Sequence, residues 1–165
     1  MTTSHFPRLD AWPLEELLRE LDRHRKAGQR IVFTNGVFDL IHPGHIRYLR
    51  AAREMGDLLV VGVNSDDSVR RLKGSRRPIL SETERVRILA ALEPVDYVVL
   101  FSQDTPLELI LAVRPDVLVK GADYALNEIV GRDEVESWGG QVRTVELVPC
   151  VSSTNVVQRI VESQR

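Results

Sequence analysis

Two histidines three residues apart, His42 and His45, flank Pro43 and Gly44 shortly after the apolar run Ile31-Val32-Phe33. That spacing puts both imidazoles on one side of a helical turn. A helix start offers backbone N–H groups with no intrahelical partner and a partial positive charge, and Gly36 and Gly44 let a ligand approach the backbone closely. Such a turn suits a polyphosphate, with both rings reaching one phosphate. Each part has an ordinary reading by itself. Asn35-Gly36 is a common turn, proline is a common first helical residue, and a lone histidine is more often packed or solvated than catalytic. The combination after a strand makes a phosphate-binding motif.

Apolar segments alternate with helical patterns along the chain. Leu14, Leu17, Leu18 and Leu21 follow Pro13 at helical spacing, which predicts an amphipathic helix ending near Gly28 and packed outside a sheet. Strands are expected at 30–34, 58–63, 97–101 and 117–119, with a fifth, alternating strand at 142–148. Helices are expected at 43–55, 66–72, 106–113 and 132–138, and a last one after Thr154 carries Val156, Val157, Ile160 and Val161. In the helix at 106–113, Leu107, Ile110 and Leu111 are expected inward. Residues 73–81 read as a basic loop before a helix whose capping box is Ser81 with Glu84. This alternation predicts an α/β fold with a doubly wound parallel five-stranded sheet, helices on both faces and ligands at the strands' carboxyl ends.

Composition narrows the function. A chain of 165 residues with 43% hydrophobic residues can bury one sizeable core, read as residues 1–28, a helical segment, packed on a domain at 29–165. A formal net charge of -2 suggests neither a nucleic-acid surface nor a membrane anchor, so the substrate should be small. Cys150 is alone, and the polar start lacks a signal-peptide core, which makes the cytoplasm the expected location. Cys150, Trp12 and Trp138 are expected to be packing residues, and His5 and His24 solvated.

The string TNGVFDLIHPGH resembles the opening of the nucleotidyltransferase (cytidylyltransferase-like) superfamily, and His42-Pro43-Gly44-His45 matches its His-x-Gly-His signature. Further similarity lies in Val61-Gly62-Val63-Asn64-Ser65-Asp66, Lys73-Gly74 with Arg77-Pro78, Glu84-Arg85, Val119-Lys120-Gly121-Ala122-Asp123-Tyr124 and Ser152-Ser153-Thr154. Within the superfamily the nearest resemblance is to the D-glycero-D-manno-heptose 1-phosphate adenylyltransferases, which form ADP-heptose for lipopolysaccharide precursors. It implies a Rossmann-like order with the first strand central. It also implies a reaction of ATP with a sugar 1-phosphate giving ADP-heptose and pyrophosphate. The runner-up is a cytidylyltransferase acting on CTP and glycerol 3-phosphate or another alcohol phosphate, and a different class is a non-catalytic nucleotide sensor.

The chemistry asks for charge neutralisation. A sugar phosphate is already an anionic nucleophile, so donors on the phosphate oxygens matter more than a base. His42 and His45 are the expected donors, and Lys73 and Lys120 the mobile cations; with His42 and His45, Lys73 completes the catalytic set. Mg2+ is expected as a cofactor held through the nucleotide phosphates, since no carboxylate cluster resembles a cage for it. The resemblance assigns Thr34, Asn35, Gly36, Val37, Phe38, Arg85, Lys120, Gly121, Ser152, Ser153 and Thr154 to the nucleotide. The three hydroxyl residues also suit a helix cap, and Arg85 also suits pairing with Glu82 or anchoring the loop. Asp39, Asn64, Asp66, Asp123 and Tyr124 are candidate contacts to the acceptor substrate; for Asn64 and Asp66, ribose binding and helix capping stand equally. Ala122 stands where the heptose-type family has a second glycine, which questions any positive φ there. No kinase domain fits in this length, so a separate sugar kinase is expected to supply the 1-phosphate, and exposed apolar residues on the first helix suit a homodimer contact.

Overall fold

The computed structural model describes residues 8–123, 125–146 and 153–163. The expectations for His5, Tyr124, Cys150 and Ser152 lie outside the described residues. Five strands form one parallel sheet: β1 (Ile31–Gly36), β2 (Leu58–Asn64), β3 (Tyr97–Phe101), β4 (Val117–Gly121) and β5 (Gln141–Val145). Their order is β3-β2-β1-β4-β5, so β1 is central and the winding direction reverses between β1 and β4. The helices are α1 (Leu14–Lys26), α2 (Pro43–Arg53), α3 (Asp66–Lys73), α4 (Glu82–Ala90), α5 (Leu107–Val113), α6 (Arg132–Ser137) and α7 (Ser153–Ser163). This is the Rossmann-like α/β architecture that the alternation predicts.

Strand side chains alternate between faces, and both faces are covered. Val32, Leu59, Val61 and Val119 pack with Tyr48, Leu49 and Ala52 of α2 and Val86 and Leu89 of α4. Ile31, Phe33, Val60 and Leu118 pack with Leu17 and Leu21 of α1 and with Leu109, Ile110 and Val113 of α5. Trp12 and Trp138 pack against this second cluster, as expected. The capping box forms: the Ser81 hydroxyl accepts from the Glu84 N–H while the Glu84 carboxylate accepts from the Ser81 N–H.

Three expectations need correction. In α5 the buried residues are Leu109, Ile110 and Val113, and Leu111 is 48% exposed. The segment LELILAV is apolar nearly all round, so its periodicity cannot select a face, and packing against α1 and the sheet does. β5 begins one residue earlier than expected and is largely exposed, as an edge strand can be. His24 is half-buried instead of fully solvated: one ring nitrogen lies 2.6 Å from Gln29 Oε1 and the other 2.7 Å from the Tyr97 hydroxyl.

Candidate active site

β1 runs to Gly36, two residues beyond its expected end, and so carries Thr34 and Asn35 to the switch point as extended backbone. The chain then turns sharply at Phe38, whose φ of 49° is in the left-handed region that a non-glycine residue adopts at a cost of about 1–3 kcal/mol. The turn folds the Phe38 ring back over Gly36, where a Cβ would meet it at 3.1 Å. The Phe38 ring also lies 5.4 Å from that of His45. Gly36 thus makes room for the aromatic that backs the second histidine.

α2 starts at Pro43 with His42 as its N-cap in extended backbone, and no side chain closes this first turn. The His42 and His45 rings stack with centroids 3.9 Å apart and planes 25° from parallel. Both Nδ1 atoms are buried without a hydrogen-bond partner. Buried polar atoms are almost always paired, so two orphaned nitrogens are an unmet bonding capacity, here set at an open helix N-terminus. Burial lowers the His42 pKa. Burial, the adjacent His42 and the charge of Lys73 push His45 down to about 4, against a smaller upward pull from the Leu40 backbone. Near neutral pH, His45 is an uncharged imidazole beside a cation, able to donate one N–H to a phosphate oxygen.

Lys120, at the end of β4, reaches across the switch point to the Asn35 side chain. Burial lowers its pKa to about 8, with Asp123 pulling the other way. One residue deeper, the Thr34 hydroxyl is 2.7 Å from that of Tyr48, and both contact the Val119 carbonyl at 3.0 and 3.1 Å. Gly121 is buried and Asp123 exposed just beyond. Among the described residues Phe38 and Arg114 are the non-glycines with positive φ, so alanine at 122 strains nothing.

The opposite wall is tied together by charge. Asp39 is 5% exposed, and its carboxylate accepts from Arg77 at 2.9 Å, Ile79 N–H at 2.8 Å and Leu80 N–H at 2.9 Å. Its desolvation is outweighed by these donors, and its pKa is lowered. Arg85 is fully buried and donates to the carbonyls of Leu80 at 3.1 Å and Val37 at 2.7 Å and to the Asp66 carboxylate at 2.8 Å. Asn64 is buried and donates to the Ser68 hydroxyl, while Ser65 rather than Asn64 or Asp66 caps α3. Lys73 is exposed at the end of α3, close enough for its charge to act on His45. The Ser153 hydroxyl donates to the Leu40 carbonyl at 3.1 Å, bringing the start of α7 to the motif loop, with Thr154 exposed beside it.

The structure therefore brings His42, His45 and Lys73 together at the start of α2, joins Asn35 to Lys120 at the switch point, sets Ser153 against the motif loop, and turns the side chains of Thr34, Asp39, Asn64, Asp66 and Arg85 toward protein partners. The sequence motif that includes Arg77 gave it no role, and Tyr48 was not singled out. A tyrosine one turn after His45 on a buried helix face was a usable signal, because a buried hydroxyl must find a partner. Among the described residues no group of three or more His, Cys, Asp and Glu side chains could hold a metal ion. No helix among them is long and apolar enough to cross a membrane.

Residues 33–159 match the family described as Cytidylyltransferase-like. The chain is 57% identical over 150 residues to the bifunctional protein HldE of Syntrophotalea carbinolica, covering 90% of this chain and 31% of that protein. It is 53% identical over 150 residues to the bifunctional protein HldE of Geobacter sulfurreducens, covering 91% of this chain and 31% of that one. It thus spans less than a third of the curated relatives it matches. Among solved structures it resembles a lipopolysaccharide core biosynthesis protein from Thermoplasma volcanium, with TM-score 0.61 and 32% identity over 73% of this chain and 98% of that one. A pantothenate synthetase from Thermus thermophilus, at TM-score 0.61 and 21% identity, covering 87% of this chain and 65% of that one, shares the fold. With the family match running from β1 into α7 and the paired histidines at its helix start, the chain belongs to the cytidylyltransferase-like family.

Proposed function

We propose that this chain is a nucleotidyltransferase that joins the adenylyl group of ATP to D-glycero-D-manno-heptose 1-phosphate, giving ADP-heptose and pyrophosphate. The stacked His42–His45 pair with two unpartnered buried nitrogens carries the nucleotidyl-transfer reading. Identity of 51–57% to proteins named HldE supports the acceptor. A phosphate oxygen of the sugar attacks the α-phosphorus of ATP; the new P–O bond forms as the bond to the β-phosphate oxygen breaks, and pyrophosphate leaves with the electron pair. The attacking oxygen is already anionic, so no proton needs to be removed. His42 and His45 donate to the α-phosphate oxygens, whose charge rises in the transition state, and Lys73 and Lys120 balance the departing and incoming phosphates.

The first turn of α2, the 34–38 backbone, Gly121 and the 152–154 hydroxyls bind the nucleotide, and Asp123 and Tyr124 serve the sugar. Asp39, Asn64, Asp66 and Arg85 hold these loops in place instead of touching substrate, because their side chains are engaged by protein. Mg2+ bound with the nucleotide would supply neutralisation of phosphate charge, and no group of three or more His, Cys, Asp and Glu side chains among the described residues would hold it. The domain at 29–165 carries the chemistry, with α1 of the N-terminal segment packed on it. The enzyme works in the cytoplasm on a 1-phosphate that a sugar kinase supplies, and a homodimer is compatible with its exposed apolar residues.

Pyrophosphate release with Mg2+, crossing ATP, CTP and GTP against heptose 1-phosphate anomers and glycerol 3-phosphate, tests the reading. Turnover is expected with ATP and one heptose 1-phosphate anomer. Turnover with CTP and glycerol 3-phosphate would replace it with the alcohol-phosphate cytidylyltransferase reading, and tight ATP binding without any turnover would favour a nucleotide sensor.

A further inference from the structure

β1 is paired with β2 at six positions, from Ile31↔Leu58 to Gly36↔Val63. Its pairing with β4 is much shorter, at Val32↔Val117 and Phe33↔Leu118. The next pair outward would be Thr34 with Val119, and there two side-chain hydroxyls take the Val119 carbonyl. The residues after that are Asn35 and Lys120, the pair that bridges the switch point. The hydroxyl cluster therefore sits at the fork where the two strands stop pairing, one residue beneath the polar groups they present.

Tyr48 brings the third element to this fork. It lies three residues after His45 on α2, so a shift of its ring relative to the strands moves the histidine pair with it. It is 8% exposed, and its hydroxyl is 2.7 Å from Thr34 Oγ1 and 3.1 Å from the Val119 carbonyl. A phenylalanine would fill the same space with the same packing, so the hydroxyl itself calls for an explanation.

We propose that Tyr48 is a positioning residue: through Thr34 and Val119 its hydroxyl fixes the spacing between the His42–His45 pair on α2 and the Asn35–Lys120 pair on β1 and β4. In the proposed transfer the first pair meets the phosphate that is attacked, and Lys120 of the second balances a neighbouring phosphate. A change of about 1 Å in such a spacing can cost on the order of 100-fold in rate. The catalytic consequence rests on the proposed nucleotidyl transfer, whereas the geometric one does not.

The experiment compares wild type with Tyr48→Phe, Thr34→Val and Thr34→Ser. It reads steady-state ADP-heptose formation, thermal stability, and the titration of Lys120 followed by NMR of carbon-13-labelled lysine. Tyr48→Phe and Thr34→Val are expected to lower kcat about 10- to 100-fold with KM for ATP changed less than threefold. Thr34→Ser, which restores the hydroxyl, is expected to recover most of the kcat that Thr34→Val loses. Loosening the fork hydrates Lys120, so its midpoint is expected to rise from about 8 in Tyr48→Phe. Wild-type kcat in Tyr48→Phe with Lys120 still titrating near 8 would overturn the proposal, even if stability falls. Equal losses in Thr34→Ser and Thr34→Val would overturn it too, since bulk and not the hydroxyl would then matter. If wild type turns over no substrate, the functional reading fails by itself, and the Lys120 midpoint in Tyr48→Phe decides the geometric proposal.

Discussion

The two ends of the sheet hold histidines in opposite states. At the amino end, His24 has both ring nitrogens engaged by Gln29 and Tyr97. It lines a cavity of about 350 Å3 with Trp12, Asp57 and Asp96. The acids here close strand starts: Asp57 accepts from Arg30 N–H, Asp96 from Leu59 N–H and Asp116 from Ile31 N–H. At the carboxyl end, His42 and His45 are stacked on each other with their Nδ1 atoms unpartnered. The same residue type serves as a structural joint where its bonds are complete and as a binding group where they are left open.

The sharpest break of this contrast lies in Arg85, a buried joint at the reactive end. Arg85→Met leaves the Asp66 carboxylate and two carbonyls without their donor and is expected to cost about 3–5 kcal/mol, on the scale of a broken buried ion pair. Thermal denaturation should show a fall in Tm of about 10 °C, not rescued by Arg85→Lys, because an ammonium cannot reproduce the three-way fork.

Histidine removal should separate the two ends. His42→Ala or His45→Ala is expected to lower kcat by about 100- to 1,000-fold with little loss of Tm, whereas His24→Ala leaves kcat unchanged and lowers Tm by about 3–6 °C. Stopped-time product assays and calorimetry on the three variants read both quantities. Equal loss of kcat at His24 would erase the distinction.

Titration sharpens it further. His45 has a folded-state pKa of about 4, below its ordinary value of 6.5, so the unfolded chain binds more protons between those values. Stability should therefore fall as pH drops through that window, and His45→Ala should flatten the slope in a pH series of denaturant melts. Lys120 works in the other direction. Its charge is lost as pH rises through about 8, so kcat/KM should decline above that point in wild type, and Lys120→Met should have low activity with no such limb. The smallest effect belongs to Ala122. Since its φ is not positive, Ala122→Gly should gain nothing and cost about 0.5–1 kcal/mol through chain entropy, visible as a Tm shift of a few degrees.

The strands were legible because four of them are short, continuous apolar runs, and β3 has its expected bounds of 97–101. The histidine turn was legible for a different reason: a strand, glycines, Pro43 and two spaced imidazoles are all local in sequence. The buried face of α5 was not, because an apolar helix presents similar residues in every direction until its neighbours are known. The role of Asp39 was hidden for the converse reason, and Arg85 stood open between binding phosphate and anchoring a loop. A carboxylate or guanidinium reads as a ligand group until its partners, about 40 and 48 residues away, are seen to occupy it.

Sequence alone determined the alternation of strands and helices, the capping box and the motif that places two imidazoles at a helix start, since each depends on residues within a few positions of one another. Tertiary structure decided which polar groups remain open. Whether a side chain binds a ligand or a loop depends on which donors and acceptors distant segments bring to it, and burial makes each unpaired atom costly enough to be resolved one way or the other.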